Sequence, residues 1–95
     1  MTNITDLRAG TGWFITKDYG VVNDCQNATI DQCIFLKAQG YKHKFKLLDD
    51  DGITYYSGLS NDDSSFAPLD EFAMPNAGCT TIQYKGKESG KFETL

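Results

Sequence analysis

The sequence predicts one mainly β domain, α+β at most, built as a small, strongly bent antiparallel sheet or as an SH3-like or OB-like barrel. Its 95 residues have the size of a single domain. Several short runs alternate apolar and polar residues with the two-residue period of strands. Glycine, proline, asparagine and aspartate separate these runs, as is typical of turns. We therefore expect five or six short strands with one or two short helical turns.

The N-terminal part is predicted to hold an arm followed by the first strand. Residues 1–11 form a loosely held arm that ends around Gly10 and Gly12. Residues 12–17 form the strand, because Trp13 and Ile15 fall on one side of a two-residue repeat.

The run 41–47 carries the strongest strand signal, because apolar and lysine residues alternate along it. Its expected core side consists of Tyr41, His43, Phe45 and Leu47. Its expected solvent side consists of Lys42, Lys44 and Lys46. The run 53–59 is the predicted partner strand in a hairpin.

The loop of this hairpin decides which residues pair. A two-residue turn at residues 51–52 would pair Leu47 with Tyr56 and place the apolar residues of the second strand on the lysine side. A three-residue loop at residues 50–52, with Gly52 left-handed, pairs Leu47 with Tyr55 instead. The three-residue loop is favoured, because it directs Ile53, Tyr55 and Leu59 towards the core.

Residues 29–39 fit either a helix or a strand. Thr29 and Gln32 have the spacing of a capping box, and Gly40 can end a helix. The apolar run 33–36 fits a buried strand equally well, and we favour the strand slightly.

The C-terminal third is predicted to be a long connection followed by a hairpin. Pro68 can begin a short helical turn that reaches Phe72, and Pro75 is expected to prevent the helix from continuing. Residues 80–85 form the next strand, and the turn 86–90 returns the chain along residues 91–95.

The cysteines and the single histidine do not suggest a metal or a catalytic site. Cys25, Cys33 and Cys79 lack the paired spacing of a zinc site, so reduced, partly buried thiols are expected, with a Cys25–Cys33 disulfide as the alternative. His43 lies on the apolar side of its strand, which favours a packed histidine over a catalytic one. We expect no enzyme activity, no cofactor and no metal.

The charge is divided unevenly along the chain. Residues 47–84 contain seven acidic residues and no lysine or arginine, whereas the whole chain has a net charge of −4. The acidic residues are Asp49, Asp50, Asp51, Asp62, Asp63, Asp70 and Glu71. If the two loops that carry most of them approach each other, they form a negative surface that attracts a basic partner.

Membrane insertion and secretion are not expected. The longest aliphatic and aromatic run, residues 33–36, is far shorter than the roughly 20 residues of a membrane helix. The start of the chain lacks a basic segment leading into an apolar one, so the cytoplasm is the expected compartment.

Nucleic acid is the alternative partner. Its predicted contact face is Lys42, Lys44 and Lys46, with Tyr56 available to stack on a base. A pI near 4.7 and a single arginine make such binding weak at physiological salt.

Three segments carry a resemblance to known proteins. They are Trp13 with the run 15–18 (ITKD), the run 45–58 (FKLLDDDGITYYSG), and the run 66–84 (FAPLDEFAMPNAGCTTIQY) with GKFE at 90–93. In these segments the chain resembles small uncharacterised proteins of bacterial, phage and plasmid type. The resemblance implies a discrete domain of mobile-element origin and carries over no catalytic residue. Residues 25–40 depart from the pattern.

The sequence therefore predicts a non-enzymatic protein-protein interaction module, used as a phage or mobile-element accessory protein. Its acidic turn and loop are expected to contact a basic protein. The alternative is a β-barrel that binds a small ligand or single-stranded nucleic acid, and a small hydrolytic enzyme ranks third.

Overall fold

The computed structural model describes residues 7–19, 27–86 and 90–95. Its elements, in chain order, are β1 (Ala9–Gly10), β2 (Trp13–Asp18), α1 (Ile30–Ala38), β3 (His43–Leu48), β4 (Thr54–Ser60), a π-helical segment (Pro68–Ala73), α2 (Met74–Ala77), β5 (Thr81–Lys85) and β6 (Phe92–Thr94). The six strands form one antiparallel sheet in the order β1-β2-β4-β3-β5-β6. The predicted mainly β fold class is confirmed, as an open sheet rather than a barrel.

One side of the sheet, here called the core face, carries the main hydrophobic core. The π-helical segment and α2 cover it. Phe45 and Leu47 of β3 and Ile15 of β2 are fully buried there. The other buried members of this core are Trp13, Tyr56, Leu69, Phe72, Ala73, Cys79, Ile82 and Tyr84. The predicted core positions of β2 and β3 are thus correct for Trp13, Ile15, Phe45 and Leu47.

The opposite side, here called the lysine face, carries the residues that alternate with the core residues. Lys44 and Lys46 of β3 and Lys85 of β5 lie on it. Helix α1 covers only the part of this face over β2 and β4, through a smaller cluster centred on Leu36. The cluster consists of Leu7, Leu36 and Leu59, with Phe14, Ala28 and Tyr41 packed against it.

The central hairpin combines the predicted loop with a register that was not predicted. Asp49 N–H donates to the Ile53 carbonyl at 3.1 Å, and Gly52 has φ 80°, so the loop holds three residues as expected. Along the strands, however, Leu47 pairs with Tyr56 and not with Tyr55. Tyr55 is an extra residue in β4, because Leu48 already pairs with Thr54.

This β-bulge changes which side of β4 each residue faces. Leu59 pairs with Lys44 and packs against α1, so its predicted core-face position is wrong. Tyr56 and Gly58 face the core instead, opposite Leu47 and Phe45. The prediction assumed one apolar face per strand, whereas β4 is buried on both sides because helices pack on both faces of the sheet.

Residues 30–38 form a helix, so the favoured strand assignment is wrong and the capping-box alternative is correct. Thr29 Oγ1 accepts from Gln32 N at 3.1 Å, and Thr29 N donates to Gln32 Oε1 at 2.8 Å. These two bonds satisfy backbone groups that a helix start leaves unpaired. The chain then leaves the helix at Gly40, which has φ 102°.

Pro75 does not end the second helical region, contrary to the prediction. The π-helical segment runs directly into α2, and the chain leaves this helix only at Gly78, with φ 72°. Pro75 is the second residue of α2, and the helical chain continues through it.

The chain before β2 takes part in the fold from Leu7 onwards. Leu7 is buried in the smaller cluster, and Arg8 O accepts from Ile15 N at 2.7 Å. Residues 1–6 of the expected arm lie outside the described residues. No helix in the described part of the chain is long and apolar enough to cross a membrane.

Candidate functional site

An open depression of about 820 Å³ lies on the lysine face, beside α1. It is called the lysine depression here. The residues that line it are Thr16, Cys33, Lys37, Lys42, His43, Lys44, Leu59, Lys85, Gly86 and Gly90. Helix α1 forms one wall, the beginning of β3 crosses the depression, and Lys85, Gly86 and Gly90 contribute the far side.

Local structure fixes the position of each lysine. Lys37 follows Cys33 by four residues, so both point to the same flank of α1. Lys42 and Lys44 are two residues apart and project to the same side of an extended chain. Lys85 ends β5 and pairs with Phe92 of β6. Three separate elements thus supply the positive charge.

Helix α1 is attached to the sheet just before its first residue and through its buried side. Ala28 N–H donates to the Thr16 carbonyl of β2 at 2.8 Å, just before the helix begins. Tyr41 N–H donates to the Leu36 carbonyl at 3.0 Å where it ends, and Leu36 itself is fully buried. The wall that carries Cys33 and Lys37 is therefore anchored to the sheet by one backbone bond and by one apolar side chain.

The charge of the depression is uncompensated within the residues that the structure describes. Lys37, Lys42, Lys44 and Lys85 take part in no ion pair there, and no carboxylate is among the lining residues. Lys46 differs, because its Nζ lies 4.1 Å from the centre of the Phe92 ring. An anion in the depression would meet several ammonium groups.

In the acidic hairpin turn, residues 49–53, two carboxylates accept hydrogen bonds from other groups of the protein. Asp49 Oδ1 accepts from the N–H groups of Asp51 and Ile53 at 2.9 and 3.0 Å. Asp50 Oδ1 accepts from Thr80 Oγ1 at 2.6 Å. Asp51 is exposed. The turn is thus shaped by its own carboxylates, as aspartate-rich turns commonly are.

The second acidic loop begins at the other end of β4. Asp62 Oδ1 accepts from the backbone N–H and the hydroxyl of Ser64 at 2.9 and 2.8 Å. These bonds lower the pKa of the Asp62 carboxyl. Because β4 has seven residues, the two acidic loops are separated by roughly 20 Å of strand.

The remaining acidic residues lie elsewhere again. Asp63 is exposed in the second loop, and Asp70 and Glu71 are exposed on the π-helical segment that covers the core face. The structure therefore does not join the seven acidic residues into one surface, as the hypothesis of approaching loops required.

The predicted nucleic-acid face is only partly assembled. Lys42 and Lys44 line the lysine depression, and Lys46 lies on Phe92. Tyr56 is fully buried on the core face, so its predicted stacking role is wrong. Tyr41 packs edge-on against Phe14 with ring centres 5.1 Å apart. Among the described residues, no phenylalanine, tyrosine or tryptophan lines the depression, and the ring that does so is the imidazole of His43.

Tyr55, another stacking candidate, is half-buried against the main core. Burial raises the pKa of its phenol, and the nearby Asp49 carboxylate raises it further.

Sequence reasoning missed Lys37 and Lys85 as members of the site. Lys85 is 41 residues from Lys44 in the chain, and only the β3–β5 pairing brings their strands together. The spacing of Cys33 and Lys37 does place both on one helix flank, but that signal requires the helical assignment of residues 29–39.

The thiols and the histidine differ in their surroundings. Cys33 and Cys79 are both free, and Cys25 lies outside the described residues. Burial raises the pKa of the Cys79 thiol to about 11, with a smaller contribution from Asp49. His43 is half-buried at the lysine depression. Within the described chain, no group of three histidine, cysteine or carboxylate side chains is arranged to hold a metal.

No protein-family model, no curated protein and no solved structure matches this chain.

Proposed function

We propose that the protein is a non-enzymatic binding domain that captures an anionic partner in the lysine depression. The observation that carries the proposal is the convergence of four lysines, without ion-pair partners among the described residues, around one concavity. Lysines on one face repel each other, and an anion relieves this repulsion while it gains charge-assisted hydrogen bonds.

The rest of the molecule favours this site over others for an anion. Residues 47–84 carry a formal charge of −7, because they contain seven acidic residues and no basic ones. A negatively charged ligand is therefore repelled from that segment and directed towards the lysine depression. Thr16 and Cys33 supply neutral contact surface beneath the charges.

The setting proposed for this activity is that of a cytoplasmic accessory protein of a phage or another mobile element. Its support is the resemblance of the segments around residues 13–18, 45–58 and 66–84. A binding role fits that setting without any catalytic residue.

A panel of anionic probes tests the proposal. A glutamate-rich peptide and a thymidine oligonucleotide would be titrated at salt concentrations of about 20 and about 150 mM, where Debye lengths differ roughly threefold. The variant Lys42→Gln/Lys44→Gln/Lys85→Gln should lose about tenfold in affinity, from roughly 0.5 kcal/mol for each exposed charge pair. The matched control is Lys46→Gln, on the same face but against Phe92.

The control should bind like the wild type, and binding should weaken as salt rises. Retained affinity in the triple variant, or no binding of any probe at low salt, would refute the proposal.

A second candidate function is capture of a basic protein by the acidic hairpin turn. It is favoured by the exposure of Asp50 and Asp51 at the tip of the central hairpin. The variant Asp49→Asn/Asp50→Asn/Asp51→Asn should then weaken capture of a basic protein such as a histone at low salt. An unchanged pull-down would remove this candidate and leave the lysine depression unaffected.

A further inference from the structure

We infer that the anionic partner is an acidic polypeptide segment that also carries apolar side chains, and that it extends from the lysine depression onto the outer surface of α1. This inference rests on the proposed function. Its own observation is an exposed apolar pair on α1: Ile30 is 80% exposed and Ile34 is 61% exposed.

The isoleucine pair and the lysine depression form one continuous surface. Each residue of a helix turns by about 100°, so Lys37 stands about 20° from Ile30 around the axis, and Ile34 stands about 40° from Ile30 on the other side. Cys33 and Lys37 already line the depression. The row formed by Ile30 and Ile34 therefore begins where the depression ends.

The two isoleucines do not serve the packing of the described fold. Helix α1 buries Leu36 in the smaller cluster, and its start is stabilised by the Thr29 capping box. Isolated exposed aliphatic residues are ordinary on protein surfaces. Two of them in one helical row, beside four lysines, match a ligand with both apolar and acidic groups.

The surface favours a polypeptide over a nucleic acid. Single-stranded nucleic acids bind where aromatic rings or arginines stack on bases. Phe14 and Tyr41 contact each other in the cluster under α1, and Tyr56 is buried. Of the described rings, this leaves the half-buried imidazole of His43 at the depression. Aliphatic side chains such as Ile30 and Ile34 instead pack well against the leucine or phenylalanine side chains of a peptide.

The decisive experiment compares three probes of equal net charge on the unmodified protein. They are a blocked peptide that mixes glutamates and leucines, the same peptide with serine at every leucine, and a thymidine oligonucleotide. We expect the glutamate-leucine peptide to bind about tenfold more tightly than its serine counterpart, as burial of a few methylene groups provides. NMR amide shifts should map to residues 30–37 and to the beginning of β3.

The variant Ile30→Ser/Ile34→Ser tests the same surface from the protein side. It should abolish the preference for the leucine-containing peptide and leave binding of the serine peptide unchanged. The control Ile53→Ser removes an isoleucine that is 51% exposed in the acidic hairpin turn, and it should keep the preference. If the variants fail to fold, the three-probe comparison still decides the question.

The outcomes separate this inference from the proposed function. If no probe binds, the proposed function fails. If all three bind with equal affinity, or if the oligonucleotide binds most tightly, the lysine depression binds anions but the inferred peptide partner is wrong.

Discussion

The core face and the lysine face of the sheet are covered to different extents. On the core face, the π-helical segment and α2 complete a cluster in which Phe45, Leu47 and Tyr56 are fully buried. On the lysine face, α1 is anchored by Leu36 in a cluster of three buried residues, and beside it lies an open depression. The main core therefore lies on one side of these strands, and the proposed binding surface lies on the other.

Strand β3 illustrates this division within a few residues. Phe45 is fully buried, while its neighbour Lys44 points into the lysine depression. In β4, the bulge at Tyr55 sets which residues face each side. Tyr56 faces the core, and Leu59 packs against α1 on the lysine face. A substitution on one face should therefore alter one property and spare the other.

The largest effect is expected from Phe45→Ala. The side chain is fully buried in the main core, so its removal should lower the free energy of unfolding by about 3 to 5 kcal/mol. Lys44→Ala, one residue away on the other face, should change it by about 0.5 kcal/mol or less. Urea unfolding of both variants measures this. Equal losses would mean that the two faces do not divide the roles as described.

The next effect is expected from Gly58→Ala on β4. A Cβ atom there would clash with the Phe14 carbonyl oxygen and would stand 2.6 Å from the Phe45 ring. Because a backbone atom cannot yield as a flexible side chain does, the cost should be about 1 to 3 kcal/mol. The neighbouring Ser57→Ala adds no atom and should cost about 1 kcal/mol or less. A neutral Gly58→Ala variant would contradict the observed packing of β2, β3 and β4.

A smaller effect is expected on the lysine face from Thr29→Ala. Loss of the hydroxyl that accepts from Gln32 N–H should destabilise α1 by about 1 kcal/mol. Hydrogen exchange should accelerate in α1 more than in β3. Thr29→Ser retains the hydroxyl and should behave like the wild type. Exchange that accelerates equally throughout the sheet would show that α1 does not open separately from the core face.

The smallest effect concerns pH and the core face. The pKa of the Cys79 thiol is raised from 9.0 to about 11, so the unfolded chain ionises at lower pH than the folded protein. The contribution of this thiol to the free energy of unfolding is fully present below about pH 9 and is lost as the pH rises towards about 11. Cys79→Val should therefore show a shallower alkaline decline in urea unfolding.

A comparison at neutral pH separates the packing effect of this substitution from the titration of the thiol. There it is neutral in both states, so any difference between wild type and Cys79→Val reflects packing alone. Parallel stability profiles from neutral to alkaline pH would show that Cys79 does not titrate as described.

Local patterns predicted those parts of the fold that depend on neighbouring residues. The alternation in residues 41–47 identified β3 and the burial of Phe45 and Leu47, although Tyr41 packs in the smaller cluster on the other face. The glycine at position 52 identified the three-residue loop. The capping box of Thr29 and Gln32 indicated a helix, but the apolar run 33–36 favoured a strand. A single sequence cannot decide between helix and strand for such a run, because the deciding contact of Leu36 with Leu59 is not local.

The candidate site depended even more on contacts between distant residues. Lys42 and Lys44 were identified from alternation, but Lys37 and Lys85 join them only through the packing of α1 and the pairing of β3 with β5. The bulge at Tyr55 could not be anticipated either, since it depends on helices covering both sides of β4. The count of charged residues along the chain suggested one acidic surface, but the structure places these residues in two loops and on the π-helical segment.

The ends of the sheet bear on how the protein behaves when it is concentrated. An exposed edge strand with free amide and carbonyl groups can pair with a strand of a neighbouring molecule and start aggregation. Here the outermost strands are β1, with two residues, and β6, with three. Such short edge strands offer few backbone groups, so pairing of strands between molecules should be disfavoured.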